Sequence, residues 1–331
     1  MTEAMDLQRK QVLVTGGLGF IGSNLAHACL RLGAEVTVFD SLDPRCGGNP
    51  ANLGGIEKDV RVIRGDIRSA EAVAQTVGSS DLLFNCAALT SHPGSMVDPR
   101  AYIDVNCDGV VTLLEAARKA GTPPRFVQIG TSTQVGRMIS EPVTEDHPEF
   151  PLDVYSVTKT MAEKLVLLYG TAYDLPVTAI RLANVYGPRA KLTDPGLSFV
   201  NYFVGLALRG EDLTVYGPGL QRRAVTYVDD VVEALIQASL SEACVGEALF
   251  AAAQRHHTVR EIAEAIVRVF GRGRVRLVEW PADRRSTEVG DVIISSDRIA
   301  GLVGWRARTD LDDGLARTAR FYDARLAQYV S

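Results

Sequence analysis

Tyr155 and Lys159 stand four positions apart in Tyr155-Ser156-Val157-Thr158-Lys159. On a helix that is about one turn, so a phenol and an ammonium lie side by side on one face. Such a pair is an acid–base candidate. A free tyrosine titrates near pH ~10, so use as a base near neutrality calls for a shift of roughly 3 units, or about 4 kcal/mol. A fixed positive neighbour supplies part of that. The same spacing arises by chance on solvated helices, and its meaning rests on the elements around it.

The first of those elements is a nucleotide-type turn. Gln11-Val12-Leu13-Val14-Thr15 is apolar and β-branched and predicts a strand; Gly16-Gly17-Leu18-Gly19-Phe20-Ile21-Gly22 follows, and Ser23 to Arg31 carries a helical apolar pattern. Gly16, Gly19 and Gly22 permit a tight turn, close approach of a pyrophosphate to backbone N–H groups, and close packing of helix on strand. The plain alternative is an ordinary glycine-rich turn. The next predicted strand, Glu35 to Phe39, ends at Asp40, whose carboxylate suits both ribose hydroxyls and repels a 2′-phosphate. That favours NAD over NADP, with Arg45 nearby pulling the other way.

Further predicted strands end in small or polar loops: 60–64 before Asp66 and Ile67, 81–84 before Asn85-Cys86-Ala87-Ala88, 125–129 before Gly130-Thr131-Ser132-Thr133-Gln134. In a parallel sheet these loops gather at the carboxyl edge, where open α/β folds bind ligands. Helices are expected over Asn106 to Ala120 and from near Tyr155 through Tyr173, and a sixth strand over 177–182 leads to Asn184. After Arg189 the alternation weakens into a second lobe, with one strand near 247–250 returning to the sheet. Thr258 and Glu261 read as a capping box, and the last helix, 311–329, offers Leu311, Leu315 and Phe321 for docking. The fold class is therefore α/β, a doubly wound parallel Rossmann sheet with a smaller C-terminal substrate-binding lobe, divided as 1–185 and 186–331.

The bulk properties are those of an ordinary globular chain, with 331 residues, 46% of them apolar and 23% charged. A formal charge of -5 argues against a broad nucleic-acid surface. The N-terminus lacks a signal-peptide pattern and no run suits a membrane span, so the expected location is cytoplasmic, with neither nucleic acid nor membrane as partner. Cys29, Cys46, Cys86, Cys107 and Cys244 are scattered without a C-x-x-C pair and read as small apolar fillers. His256 and His257 are adjacent and diverge on any regular element, so no metal site is expected.

Taken together, Thr15-Gly16-Gly17-Leu18-Gly19-Phe20-Ile21-Gly22, Asp66-Ile67, Asn85-Cys86-Ala87-Ala88, Ser132, Tyr155 with Lys159, and Arg181-Leu182-Ala183-Asn184-Val185-Tyr186-Gly187-Pro188 resemble the extended short-chain dehydrogenase/reductase superfamily. The likeness is to its nucleotide-sugar epimerases and dehydratases and spans nearly the whole chain. It implies a bound NAD, a nucleoside-diphosphate sugar as substrate, and a homodimer built through the helices around 106–120 and 155–173. It assigns Phe20 and Ile21 to the phosphate turn, Asp40 to the ribose, Asp66 and Ile67 to the adenine, and Ala87, Ala88 and Asn106 to the cofactor's surroundings. Asn184 and Arg223 resemble residues that contact the substrate diphosphate. Three positions depart from the family pattern: Glu288 for a second arginine, with Arg284 and Arg285 close by; Gly136 for a tyrosine; and Ala224 for an aspartate.

The resemblance also bears on the reaction. Family 4,6-dehydratases carry an Asp-Glu pair after the catalytic hydroxyl residue, and decarboxylases a Glu at the second position after it. Here those positions are Thr133 and Gln134, and neither is a carboxylate acid–base group. The expectation is C4 epimerisation of a nucleoside-diphosphate sugar, UDP being the commonest family choice. Tyr155 is the base, Lys159 its positive neighbour, and Ser132 a hydrogen-bond donor to the same sugar oxygen, with Thr133 beside the sugar. A dehydratase or ketoreductase with another acid–base residue is the competing enzyme, and a non-catalytic sensor of NAD or sugar nucleotide the competing class. His92, in a loop expected at the pocket's border, either reads the sugar or packs the loop.

Overall fold

The computed structural model describes residues 5–281 and 289–330, so Arg284, Arg285 and Glu288 lie outside the described residues. The first six strands are β1 (Gln11–Thr15), β2 (Glu35–Asp40), β3 (Arg61–Arg64), β4 (Leu82–Asn85), β5 (Arg125–Thr131) and β6 (Val177–Leu182). Six more follow: β7 (Asn184–Tyr186), β8 (Leu213–Tyr216), β9 (Arg222–Tyr227), β10 (Ala248–Ala251), β11 (His256–Thr258) and β12 (Val275–Val278). The main sheet is parallel in the order β10-β6-β5-β4-β1-β2-β3. The order reverses between β1 and β4, which opens a crevice at their carboxyl ends.

The sheet is apolar on both faces because helices cover both. One layer packs the helix Phe20–Arg31 and the helix Val228–Leu240 through Leu25, Cys29, Val231 and Leu235, with Trp305 among them. The opposite layer packs the helices Gly109–Lys119 and Val154–Tyr173 through Leu113, Leu114, Ala162 and Val166. All six residues of β6 are buried, Arg181 included, so that strand runs without the alternation of a half-exposed one. As expected, the strand near 247–250 pairs with β6.

Beyond β6 the pairings become non-local. β9 lies between β7 and β11, and β8 pairs with β12. These short strands enclose a separate apolar cluster that includes Tyr186, Phe203, Ile262, Ile266, Leu315 and Tyr322. The capping box forms: Glu261 N–H donates to Thr258 Oγ1 at 3.1 Å, and Thr258 N–H to Glu261 Oε2 at 2.8 Å.

Two helices differ from the sequence reading. The helix expected from Asn106 opens instead with a π-helical turn, Asp104–Asp108, before Gly109–Lys119. The final helix stops at Asp323 rather than running to 329, and a short turn, Leu326–Gln328, follows. There the chain folds back so that Tyr329 packs on Tyr322 at 5.1 Å and its hydroxyl reaches Asn52 Oδ1 at 2.8 Å. Leu311 and Leu315 are buried, and the half-buried Phe321 carries the Arg189 guanidinium over its ring. Among the described residues no helix is long and apolar enough to cross a membrane.

Candidate active site

The crevice beside β1 and β4 deepens into a cavity of about 1080 Å³. One wall is backbone. Gly16 has φ +63°, and a Cβ there would stand 2.8 Å from the backbone of Cys86 and Ala87, beyond β4. A Cβ on Gly22 would stand 2.4 Å from the Gly16 carbonyl oxygen. Gly19 caps the first helix without any side-chain hydrogen bond, and the first turn holds no acidic residue. The opening N–H groups of that helix are thus left to a ligand, an arrangement suited to a pyrophosphate. Phe20 and Ile21 line the cavity at the same point.

Asp40, at the end of β2, is set by Leu18 N–H on Oδ2 at 3.0 Å and Leu42 N–H on Oδ1 at 2.7 Å. Each oxygen keeps a further lone pair for a ribose hydroxyl. Arg45, which could have drawn a 2′-phosphate, is engaged by Asp43 at 2.7 Å and by Asp98 at 3.4 Å. Asp66 lines the cavity with Ile67 and is paired to Arg68 at 2.6 Å, while Ala87 and Ala88 line it from the loop after β4. Glycine turn, carboxylate and cavity fit NAD.

The facing wall is made of side chains. β5 ends at Thr131, and Ser132–Gln134 forms a short helical turn in which Thr131 Oγ1 accepts the Thr133 N–H and Gln134 Oε1 accepts the Thr131 N–H. The catalytic helix candidate, Val154–Tyr173, starts at Asp153, whose Oδ1 accepts the Ser156 N–H at 2.8 Å. That start places Tyr155 and Lys159 on the buried face at 7% and 4% exposure. Ser132, Thr133, Tyr155 and Lys159 all line the cavity.

Burial pushes the Tyr155 phenol up, Asp153 and Tyr102 add to the rise, and the Thr131 hydroxyl opposes it. Burial pushes Lys159 down to about 8, against Cys86, Cys107 and Glu163, which favour its charge. The sequence reading had Lys159 lowering the phenol. In the protein by itself the shift runs the other way, because desolvation penalises both charged forms.

Thr131 was not singled out in the sequence, although it stands in the same hydroxyl run as Ser132. Its Oγ1 lies 3.1 Å from Thr133 Oγ1, which accepts a hydrogen bond from Ser156 at 2.9 Å. Gln134 turns away from the cavity and is fully buried. Its Nε2 donates to Glu163 Oε2 at 3.0 Å, and Glu163 is held in turn by Arg181 at 2.6 Å. Burial raises the Glu163 carboxyl, but Arg181 and Gln134 outweigh that and keep it low.

Asn184 and Arg223, the residues expected to contact the substrate diphosphate, both line the cavity, from β7 and β9. Asn184 donates to the Ala224 carbonyl at 3.2 Å, and Arg223 donates to the carbonyls of Arg222 and Gly290. Gly136, where the family has a tyrosine, sits at φ +63°, with the Phe150 carbonyl where a Cβ would go. A tyrosine does not fit that backbone. Asn106 is the one assigned cofactor residue that does not line the cavity. Its amide is used up on both backbone groups of Leu89 and on the Thr158 hydroxyl, tying the loop after β4 to the helix Val154–Tyr173. His92 does line the cavity, and its Nδ1 lies 2.7 Å from Asp153 Oδ2.

Comparison with known proteins bears on the family and the fold. The model of the NAD dependent epimerase/dehydratase family matches residues 12–249. The low-salt glycan biosynthesis protein Agl12 of Haloferax volcanii is 33% identical over 94% of this chain and 98% of its own length. UDP-N-acetyl-alpha-D-glucosaminuronate decarboxylase of Bacillus cytotoxicus is 33% identical over 78% of this chain and 79% of its own. Among solved structures, the epimerase Mth375 of Methanothermobacter thermautotrophicus superimposes with a TM-score of 0.89 at 26% identity, covering 97% of this chain and 94% of that one. The cofactor is NAD and the substrate a nucleotide sugar. The chain belongs to the NAD-dependent epimerase/dehydratase family of extended short-chain dehydrogenases/reductases.

Proposed function

We propose that the protein inverts C4 of a nucleoside-diphosphate sugar, a UDP-sugar, through a transient 4-keto intermediate. The observation that carries this reading is the state of position 134. Where the decarboxylases and dehydratases carry a glutamate, this chain has an amide buried against Glu163 and committed to the Thr131 N–H. A carboxylate there would face Glu163 as a like charge in a dry site. Thr133, at the preceding position, offers only a hydroxyl. C4 inversion requires neither group.

NAD, when bound, supplies the acceptor and donor of the hydride and a positive charge beside the phenol. Tyr155 takes the proton of the sugar 4-hydroxyl and later returns it. The Thr131 hydroxyl steadies its charged form, and Ser132 donates to the sugar oxygen as its charge grows. Lys159, one turn along, adds positive charge beside the cofactor. Asn184 and Arg223 hold the diphosphate about which the keto sugar turns.

Residues 1–185 hold the cofactor in this reading, and 186–331 mainly hold the sugar nucleotide. A homodimer through the helices Gly109–Lys119 and Val154–Tyr173 is supported by the exposed apolar side chains Val157, Met161 and Leu168 on the latter. The deciding experiment incubates the NAD-loaded protein with UDP-glucose, UDP-glucuronate and their N-acetylated relatives and follows C4 configuration by NMR. Inversion of one member is expected; failure to invert any of them sinks the reading.

A further inference from the structure

His92 and Asp153 form a pair that the C4 chemistry above does not use. The Asp153 carboxylate lies 2.7 Å from His92 Nδ1 and is fixed from behind by the Ser156 N–H. That arrangement selects the tautomer with its proton on Nδ1 and leaves the Nε2 lone pair free to act. Among the described residues Nε2 makes no hydrogen bond, and the imidazole lines the same cavity as Ser132 and Tyr155. The imidazole stands edge-on to the Tyr155 ring with 4.9 Å between centroids, and its side chain is 41% exposed. A base held by an orienting carboxylate, beside the group that acts on the sugar, is the usual geometry of an acid–base dyad.

We propose that His92, oriented by Asp153, is a second acid–base group of this site, exchanging the hydrogen on a carbon that flanks the ketone. The inference rests on the reading of Tyr155 as the group that handles the 4-hydroxyl proton. Once C4 is a ketone, the hydrogens on its neighbouring carbons become acidic. His92 Nε2 takes one of them. The C–H electron pair forms a carbon–carbon double bond, and the carbonyl π pair moves onto the oxygen, which takes the proton then carried by Tyr155. Reversal restores the ketone and the phenol, and the carbon receives a hydrogen from the imidazole. The exposed imidazole has meanwhile traded its proton with water. With one base acting from one side, the hydrogen is replaced without inversion at that carbon.

The test uses the NAD-loaded protein in D2O with the nucleotide sugar that the C4 panel shows to be inverted. Recovered sugar is examined by NMR for deuterium at the carbons next to C4, and the ratio of deuterium uptake to C4 inversion is the readout. The wild type is expected to incorporate deuterium there. His92→Gln is expected to lower the ratio about a hundredfold. Asp153→Asn keeps the helix cap but lacks the negative charge, and is expected to lower it about tenfold. C4 inversion with no deuterium uptake in the wild type, or an unchanged ratio in His92→Gln, overturns the assignment of His92 and leaves the C4 reading standing.

A dehydrated keto product that depends on His92 overturns C4 inversion and supports the dyad. A sugar panel with no turnover overturns both readings. A readout independent of turnover is the nitrogen-15 histidine spectrum, with His92 identified by its loss in His92→Gln. Protonation at Nδ1 is expected in the wild type, with that preference weakened in Asp153→Asn; a wild-type His92 protonated at Nε2 overturns the dyad.

Discussion

The two walls of the cavity are built from different material. The cofactor wall is shaped by backbone that comes too close for any side chain, as at Gly16 and Gly22. The facing wall is shaped by side chains on an ordinary helix and loop, where Tyr155, Lys159, Ser132 and Thr133 project from regular positions. In the C4-inversion reading, this difference assigns cofactor binding to the first wall and chemistry to the second, and makes the two separable. A substitution on the first wall moves the chain itself, while one on the second changes a functional group and leaves the scaffold in place.

The largest expected effect tests the second wall. Tyr155→Phe removes one oxygen from a ring packed among Leu89 and Tyr102, so the helix and the cavity keep their form. Turnover is expected to fall roughly a thousandfold, within the range typical of a lost general acid–base group. The protein should still retain NAD at the wild-type level, measured by nucleotide content after denaturation. Near-normal turnover would remove Tyr155 from the chemistry.

The complementary change tests the first wall. Gly22→Ala puts a methyl 2.4 Å from the Gly16 carbonyl oxygen and 2.8 Å from the Gly17 Cα. Both neighbours are backbone and cannot step aside, so the turn must open at a cost of about 3 kcal/mol. NAD affinity, measured by calorimetry, is expected to fall about a hundredfold. An unchanged affinity would mean that the turn does not hold the cofactor.

The same division explains what could be read in the sequence. The strand, turn and helix from Gln11 to Arg31 are legible because each step is local: β-branched residues, then glycines, then a helical period. Asp40 is legible because it ends a strand. β7, β8, β9, β11 and β12 were not, since three to six residues paired with partners far along the chain carry no local signature. That Asn106 stands outside the cavity lining is not legible, because its amide is spent on Leu89 and Thr158, contacts that exist only after folding. The Asp153–His92 contact joins the cap of one helix, Val154–Tyr173, to the first residue of another, His92–Val97, 61 positions apart, and no spacing rule announces it. Likewise Tyr155 and Lys159 were found by spacing, but the sign of their shifts came from burial.

That sign gives the smallest of these effects, and it separates the chemical wall from the needs of the fold. Lys159 is 4% exposed, and its pKa falls from 10.5 to about 8, chiefly by burial. A lowered folded-state value means that the folded protein holds the charged ammonium less well than the unfolded chain does. Below about pH 8 both states are charged and folding bears the full desolvation penalty. As pH rises from 8 toward 10.5 the folded protein loses its proton first, and the penalty fades. Lys159→Met, close in length and uncharged, is therefore expected to be more stable than the wild type at pH 7, by about 2 to 3 kcal/mol. That advantage should shrink toward zero near pH 10, as measured by urea unfolding of the cofactor-free proteins, while turnover is lost. A variant less stable than the wild type at pH 7 would mean that Lys159 serves the fold, and that the side-chain wall is structural as well as chemical.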